Sequence, residues 1–454
     1  MPYNQIANRF DISDEMERNL REKKAAVELQ KRKHEDWTEN YELDRNKVKT
    51  NRLTQRQAVN IPLMKETRKT LLSQIDEPPE IEWKELGGDE QKELIYQEIW
   101  NTHVADNNLE LIDILDKNNV LMYGLSSKIM NITDDGVKTS VLDVFDIAYD
   151  PLMNPWDTDS ARFIVRFNIF RSVREILADE KYSKKGRGEL LIWAEAPAGI
   201  TQSEENKKIW EDKMKRLQDM GVHSDQFKFF AGGDRIVNLT AHFTMRWNTK
   251  TLKFERRVIV YCDDIIELYD ETLEDCVGVD DFWPVVKWVE DPQILDIYPD
   301  SVQDTIRTPN KLLNVWISQL VENRTLRNFQ MHWFLPSSKY QPKTYQPGPG
   351  VMLPAPPGDD INKVIKPVEV SGLDDTFGAI EQVIRIAERA VGATALDKGQ
   401  AEQGQQTLGE IKILVGKSME RTTAMAKFYR RGWYEYAWKW NRLMHANAPK
   451  MLKL

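Results

Sequence analysis

Two cysteines, Cys262 and Cys276, are all that the 454 residues hold. That excludes a disulfide framework, suits a reducing compartment such as cytoplasm, and leaves both thiols to act as small buried apolar groups. Long apolar runs are missing too: no stretch approaches the roughly 18 apolar residues a membrane span needs. The start, MPYNQIANRFDISDEM, lacks the basic segment and apolar core of a secretion signal. Phosphate-binding sequences are absent in both common forms, GxxxxGK[ST] and a post-strand GxGxxG. Six histidines (His34, His103, His223, His242, His332, His445) are scattered without HExxH or CxxC spacing, so no metal and no cofactor is expected. Positive charge is in deficit, 63 Lys and Arg against 72 Asp and Glu, for a net charge of -9. Phosphate neutralisation by the whole surface is thereby excluded, and any DNA contact must be local or weak.

What is present is aromatic and charged. Fourteen Trp, 14 Tyr and 15 Phe accompany a mean hydropathy of -0.57, the signature of a folded protein with much surface. The length admits two or three domains or one elaborate architecture. Residues 13–57 read as an exposed, charged helical arm capped at Ser13, and a second helix starts at Pro62 and runs to about Ser73. A third amphipathic helix is predicted over 89–117, with Leu94, Ile95, Ile99, Trp100, Leu109, Leu111, Ile112 and Leu115 on its apolar positions.

Strand patterns then take over. VLMYGLSSKIMNI and VKTSVLDV flank Asp134-Asp135-Gly136, a hairpin signal, and ARFIVRFNIF, FKFFAGG, DRIVNLTAHFTMRW and LKFERRVIVYC follow as further strands. The charged helix EENKKIWEDKMKRLQDMG interrupts them and ends at Gly221. Residues 1 to about 295 therefore predict an α+β body.

Helices return beyond Pro299. One, capped at Asp300 or Ser301 and kinked or restarted at Pro309, reaches about Phe329. A segment that no helix can enter follows: QPGPGVMLPAPPGDD, residues 346–360, holds five prolines and three glycines. From Gly372 helix resumes, with Leu373, Phe377, Ile380, Ile384, Ala387 and Val391 in heptad rhythm and Val383, Ile386 and Ala390 as a second apolar side. Residues 392–407, GATALDKGQAEQGQQT, form a polar loop. A last helix carries one stripe through Ile411, Val415, Thr422, Met425, Tyr429, Trp433, Tyr436, Trp440 and Leu443, before a short tail ANAPKMLKL. KFYRRGWYEYAWKW alternates base and aromatic, but its rings share one seam, which points to core packing rather than nucleic-acid stacking or a membrane interface.

Acid pairs occur at Asp134-Asp135, Asp263-Asp264, Asp280-Asp281, Asp359-Asp360 and Asp374-Asp375. Adjacent carboxylates on a strand point to opposite faces, so turns and caps account for most of them. A two-metal nuclease built on Asp263, Asp264 and Glu267 is the enzymatic alternative. A helical scaffold with no DNA channel is the structural one.

The order of these parts resembles the portal proteins of tailed bacteriophages, ring proteins at one capsid vertex. The likeness covers nearly the whole chain and is carried by NRLTQRQAVNIPLMKETRKTLLSQI, by VLMYGLSSKIMN with VFDIAYDP, by YPDSVQDTIRTPNKLLNVWISQLVENRTLRN, and by GATALDKGQ leading into TLGEIKILVGKSMERTTAMAKFYRRG. The resemblance implies a wing over 1–299, a first stem helix over 300–330 and a clip over 331–371. It further implies a second stem helix over 372–393, a tunnel loop over 394–406, a long helix over 407–445 and a short tail or minimal crown over 446–454. It implies no enzyme activity, but a ring of about twelve subunits that conducts double-stranded DNA during packaging and ejection. Lys398, Gln400, Gln403, Gln405 and Gln406 would touch the duplex without reading bases. Leu373 to Val391 would pack subunits together, and Pro347, Pro349, Val351, Met352, Leu353 and Pro354 would form the docking arm. The implied partners are the terminase large subunit, a head-tail adaptor, the major capsid protein and a scaffold, with no membrane; the implied location is the virion, and host cytoplasm during assembly.

Overall fold

The computed structural model describes residues 14–47, 59–75, 80–84, 89–133, 136–194, 204–219, 221, 236–262, 264–328, 332–334, 365–367, 376–391 and 408–451. The chain divides into two compact units, one of Met1–Trp37, Gln74–Ser301 and Thr423–Leu454, the other of Thr38–Ser73 and Val302–Thr422. Helix α1 (Asp14–Asp44) contributes to both.

In the first unit, β3 (Ile147–Tyr149), β4 (Phe163–Ser172), β5 (Ile236–Asn248), β6 (Lys253–Cys262) and β7 (Ile266–Thr272) form an antiparallel sheet in that order. Alternation along these strands puts Ala148, Phe163, Val165 and Phe167 under Ala26 and Val27 of α1, and Ile259 and Tyr261 under Met16. Short helices α5 (Val173–Ala178) and α6 (Lys184–Ala194) cover one end of the sheet through Ile176, Leu190 and Trp193. A capping box between Ser172 and Glu175 starts α5 directly out of the strand. Helix α7 (Glu204–Asp219) sends Lys213 to both Asp143 (2.7 Å) and Asp146 (2.6 Å).

A three-stranded antiparallel sheet has the order β2 (Gly136–Leu142), β1 (Leu125–Thr133), β8 (Val285–Val289). The hairpin expected around Asp134-Asp135-Gly136 is thus formed, with Thr133 opposite Gly136. Two helices lead into it, α3 (Glu90–Asn107) and α4 (Leu109–Tyr123). The single helix expected over 89–117 is broken at Asn108, whose left-handed φ of 48° ends α3 and begins α4. Asparagine tolerates this region better than most residues, so the break falls on it. After α4 the backbone turns at Gly124, φ 82°, where a Cβ would collide with the Pro299 and Asp300 backbone. The strand expected at FKFFAGG lies outside the described residues.

In the second unit, α2 (Leu63–Gln74), α9 (Val302–Asn328) and α10 (Thr376–Val391) are the principal helices, and α8 (Leu273–Val277), within the first unit, precedes α9 and α10 in the chain. Helix α9 runs unbroken through Pro309. A two-stranded antiparallel ribbon pairs β9 (His332–Phe334) with β10 (Ile365–Pro367). Helix α11 (Leu408–Met451) belongs to both units and continues past the point where a tail was expected, through Pro449. Asn447 is buried and donates to the Val277 and Leu443 carbonyls, tying this last turn to α8.

Candidate assembly site

The stem expected of α9 and α10 is best followed from single side chains. On α9 the buried residues are Val302, Gln303, Ile306, Asn310, Leu313, Asn314 and Ser318, a helical stripe that is half polar. Its polar members hold the segment entering α2. Ser318 Oγ accepts from the Val59 amide (3.0 Å), Asn314 Oδ1 accepts from the Ile61 amide (2.9 Å), and Gln303 Nε2 donates to the Met64 carbonyl (3.0 Å). Pro62 has no amide to satisfy, and these bonds settle its flanking residues without a strand or helix partner. Around the same helix, Asn40 donates to Asp304 (3.0 Å), Arg307 pairs with Asp304 (2.9 Å), Lys311 pairs with Glu39 (2.5 Å), and Arg68 grips Asp44 through both guanidinium edges (2.9 and 3.0 Å). Both polar atoms of the Asn310 side chain are buried with no partner among the described residues.

Helix α10 packs against α9. Ile380 and Ala387, one heptad apart, are buried, and Ile384 and Val391 are half-buried beside them. Phe377 departs from the expected seam, being 60% exposed, and Ile386 on the second side is 63% exposed. At roughly 100° per residue, Phe377 lies at the edge of the Ile380–Ala387 face, so α9 covers the seam's centre and leaves its flank open. Leu373 lies outside the described residues, as do Pro347, Pro349, Val351, Met352, Leu353 and Pro354 of the clip and Lys398, Gln400, Gln403, Gln405 and Gln406 of the loop. What is described at the clip is its base: Ile365 pairs with Phe334 and Lys366 with Trp333.

The final helix is anchored in the first unit by its aromatic seam. Tyr429, Trp433, Tyr436, Trp440 and Leu443 are all buried, as their spacing predicts. Buried cations complete the seat. Lys128 pairs with Asp116 (2.7 Å) and lies 4.3 Å from the Trp433 ring centre; Lys117 pairs with Asp113 (2.6 Å) and lies 4.9 Å from Tyr429. Asp113 also accepts from the Trp433 indole (3.2 Å), while burial pushes its carboxyl up against these stabilising contacts. Lys439 reaches Asp159 (2.9 Å), Glu435 (3.0 Å) and the Val285 carbonyl (2.9 Å). His103 Nε2 meets Tyr436 Oη at 2.7 Å, and that hydroxyl meets Thr139 Oγ1 at 2.7 Å. Burial pushes the His103 imidazole down to about 4, so it is neutral at pH 7. These polar anchors were not anticipated; the signal for them was lysine within apolar strand and helix patterns, as in LSSKIM and YAWKW.

The acids considered for metal chemistry are placed separately. Asp264 is held by Lys23 at 2.7 Å, both side chains buried, and Glu267 sits on β7 with its carboxyl pushed up by burial. Asp263 lies outside the described residues, and among those described no three His, Cys, Asp or Glu side chains gather as a metal would require. Cys262 is buried, and Cys276 is half-buried and accepts from the Tyr269 hydroxyl. No described helix is long and apolar enough to cross a membrane. No protein-family model matches the chain, and neither does any curated protein.

Proposed function

We propose that this chain is the subunit of a phage-type portal, a ring that conducts double-stranded DNA into and out of a capsid. The observation that carries the proposal is the pairing of β9 with β10 between α9 and α10. It sets Phe334 and Ile365, the residues that flank 335–364, opposite each other, between helices that pack on each other. A Pro-rich segment so flanked loses little entropy on docking and suits an arm offered to other proteins. In the proposal those partners are the terminase large subunit, which hydrolyses ATP, then a head-tail adaptor, with the major capsid protein around the ring and scaffold during assembly. About twelve copies close the ring.

The α+β body, the helix pair, the polar segment 392–407 and the 44-residue helix α11 follow one another in the order a portal requires. The net charge of -9 suits a conduit, because counterion release onto a basic wall would hold the duplex and slow its sliding. Lys398 and the neighbouring glutamines touch the duplex weakly and without base readout.

The deciding experiment is the native mass of the purified full chain, followed by images of the same fraction. Rings of about twelve copies with an axial opening wide enough for duplex DNA are expected. A species that stays monomeric or dimeric alone and with its capsid proteins overturns the reading.

A further inference from the structure

The surface of the first unit carries two unlike apolar features. On α3, Leu94 and Ile95 are 71% and 61% exposed, and Glu98 and Ile99 follow one turn later on the same side. This face is apolar with a carboxylate at its centre, and Glu98 has no ion-pair partner among the described residues. The sequence pattern expects these side chains in the core. Instead α3 turns Tyr96, Trp100 and His103 inward to α11 and leaves Leu94, Ile95 and Glu98 outward.

The second feature is a hollow beside α11, lined by Trp156, Pro292, Trp288, Phe428 and Arg431 among others. Its free volume of about 40 Å³ admits the end of one side chain, and is far too small for a nucleobase or cofactor. Trp156 and Phe428 are part-exposed, at 44% and 39%. On its wall Trp288 is buried, and its indole N–H has no acceptor among the described residues. Arg431 is exposed without an ion-pair partner among the described residues, and Lys427 one turn earlier is exposed too. In a chain of net charge -9, this is a local cationic spot beside an apolar opening.

The two features are complementary, and they lie on opposite sides of one helix. Tyr96 bonds Asn441 and stacks on His445, and Trp100 packs on Trp440, whereas the hollow takes Phe428, Arg431, Gly432 and Glu435. At roughly 100° per residue these two sets of α11 positions face about 140° apart. We propose that they are the halves of one joint between identical copies: the α3 face of one copy seats Leu94 or Ile95 in the α11 hollow of the next, with Glu98 against Arg431. Because the halves differ and point apart, the contact is head-to-tail, which closes into a ring or continues as an array. This joint deepens the ring reading and rests on it for its closure.

The test uses the full chain. Ile95→Cys and Phe428→Cys are combined, treated with a short bis-maleimide, and compared with each single-cysteine variant to account for Cys262 and Cys276. A ladder of cross-linked multimers is expected from the combination alone. In parallel, Arg431→Glu and Glu98→Arg each raise the concentration for half-assembly about tenfold, and the two together return it to within about threefold of the starting protein. A ladder with closed rings supports both joint and ring. A ladder from particles that never close supports the joint and removes the ring. Rings without a ladder, unmoved by either reversal, overturn the joint and leave the ring reading standing. A monomer that gives no ladder overturns the joint.

Discussion

His103 shows how much of this body depends on protonation. Its Nδ1 lies 3.0 Å from the Asn107 amide nitrogen and its Nε2 shares a hydrogen bond with Tyr436, whose hydroxyl shares another with Thr139. Burial lowers its pKa from 6.5 to about 4, and burial does the same to His34. Between those values an unfolded chain binds protons that the folded chain refuses. Stability from these histidines is therefore complete above pH 6.5 and is lost as pH falls towards 4. Glu22, held down to about 2 by His242 and Arg246 against the opposing effect of burial, adds a loss only at lower pH, from 4.5 towards 2. Urea unfolding at pH 7 and pH 5 is expected to show His103→Gln losing less stability between the two than the unaltered protein, with His34 and the buried His242 still contributing to the loss. An unchanged difference would mean that His103 is not buried neutral. Lys128 gives a second residue-scale prediction. Its ammonium and the Asp116 carboxylate are each 1% exposed, so Lys128→Met alone leaves a buried unpaired carboxylate and costs about 3–5 kcal/mol. Adding Asp116→Leu recovers most of that loss, measured by the same unfolding curves.

At the scale of elements, the seam of α11 was legible because five large side chains repeat at three- and four-residue spacings, and each is buried. The break between α3 and α4 was not, since apolar periodicity continues on both sides of Asn108 and only the Asn107-Asn108 pair marks it. Periodicity also identifies a helix's apolar side without saying whether anything covers it. Hence Leu94 and Ile95 were read as core, yet are exposed, while Trp100 and Ile112 in the same pattern are buried. The polar stripe of α9 was hidden for the opposite reason: Gln303, Asn314 and Ser318 satisfy main-chain groups at 59–64, distant in sequence. Helix α10 separates folding from assembly. Ile380 is buried against its own chain, so Ile380→Ala costs about 2–5 kcal/mol of stability. Phe377→Ser, at a residue 60% exposed, changes the stability of the single chain by about 0.5 kcal/mol or less while weakening assembly. Thermal melts paired with sedimentation separate the two effects; equal loss of stability in both variants would place Phe377 in the fold rather than at a subunit contact.

For the whole molecule, the portal reading turns on the segment between β9 and β10, whose two ends the ribbon brings together. Phe334 and Ile365 are register partners in an antiparallel ribbon, so their ends are close enough to be joined by a two-residue turn. Asn-Gly supplies the positive φ that such a turn demands. Replacing residues 335–364 with Asn-Gly is therefore expected to leave the melting temperature within a few degrees and the assembly size unchanged, because β9 still pairs with β10 and α10 still packs on α9. Under the proposed function, what the shortened chain loses is the docking arm. Capsids built with it should hold the ring and remain empty of DNA, since the motor has nothing to engage. If those capsids fill normally, residues 335–364 are not where the motor docks, and the segment loses its place in the mechanism while the ring keeps its own.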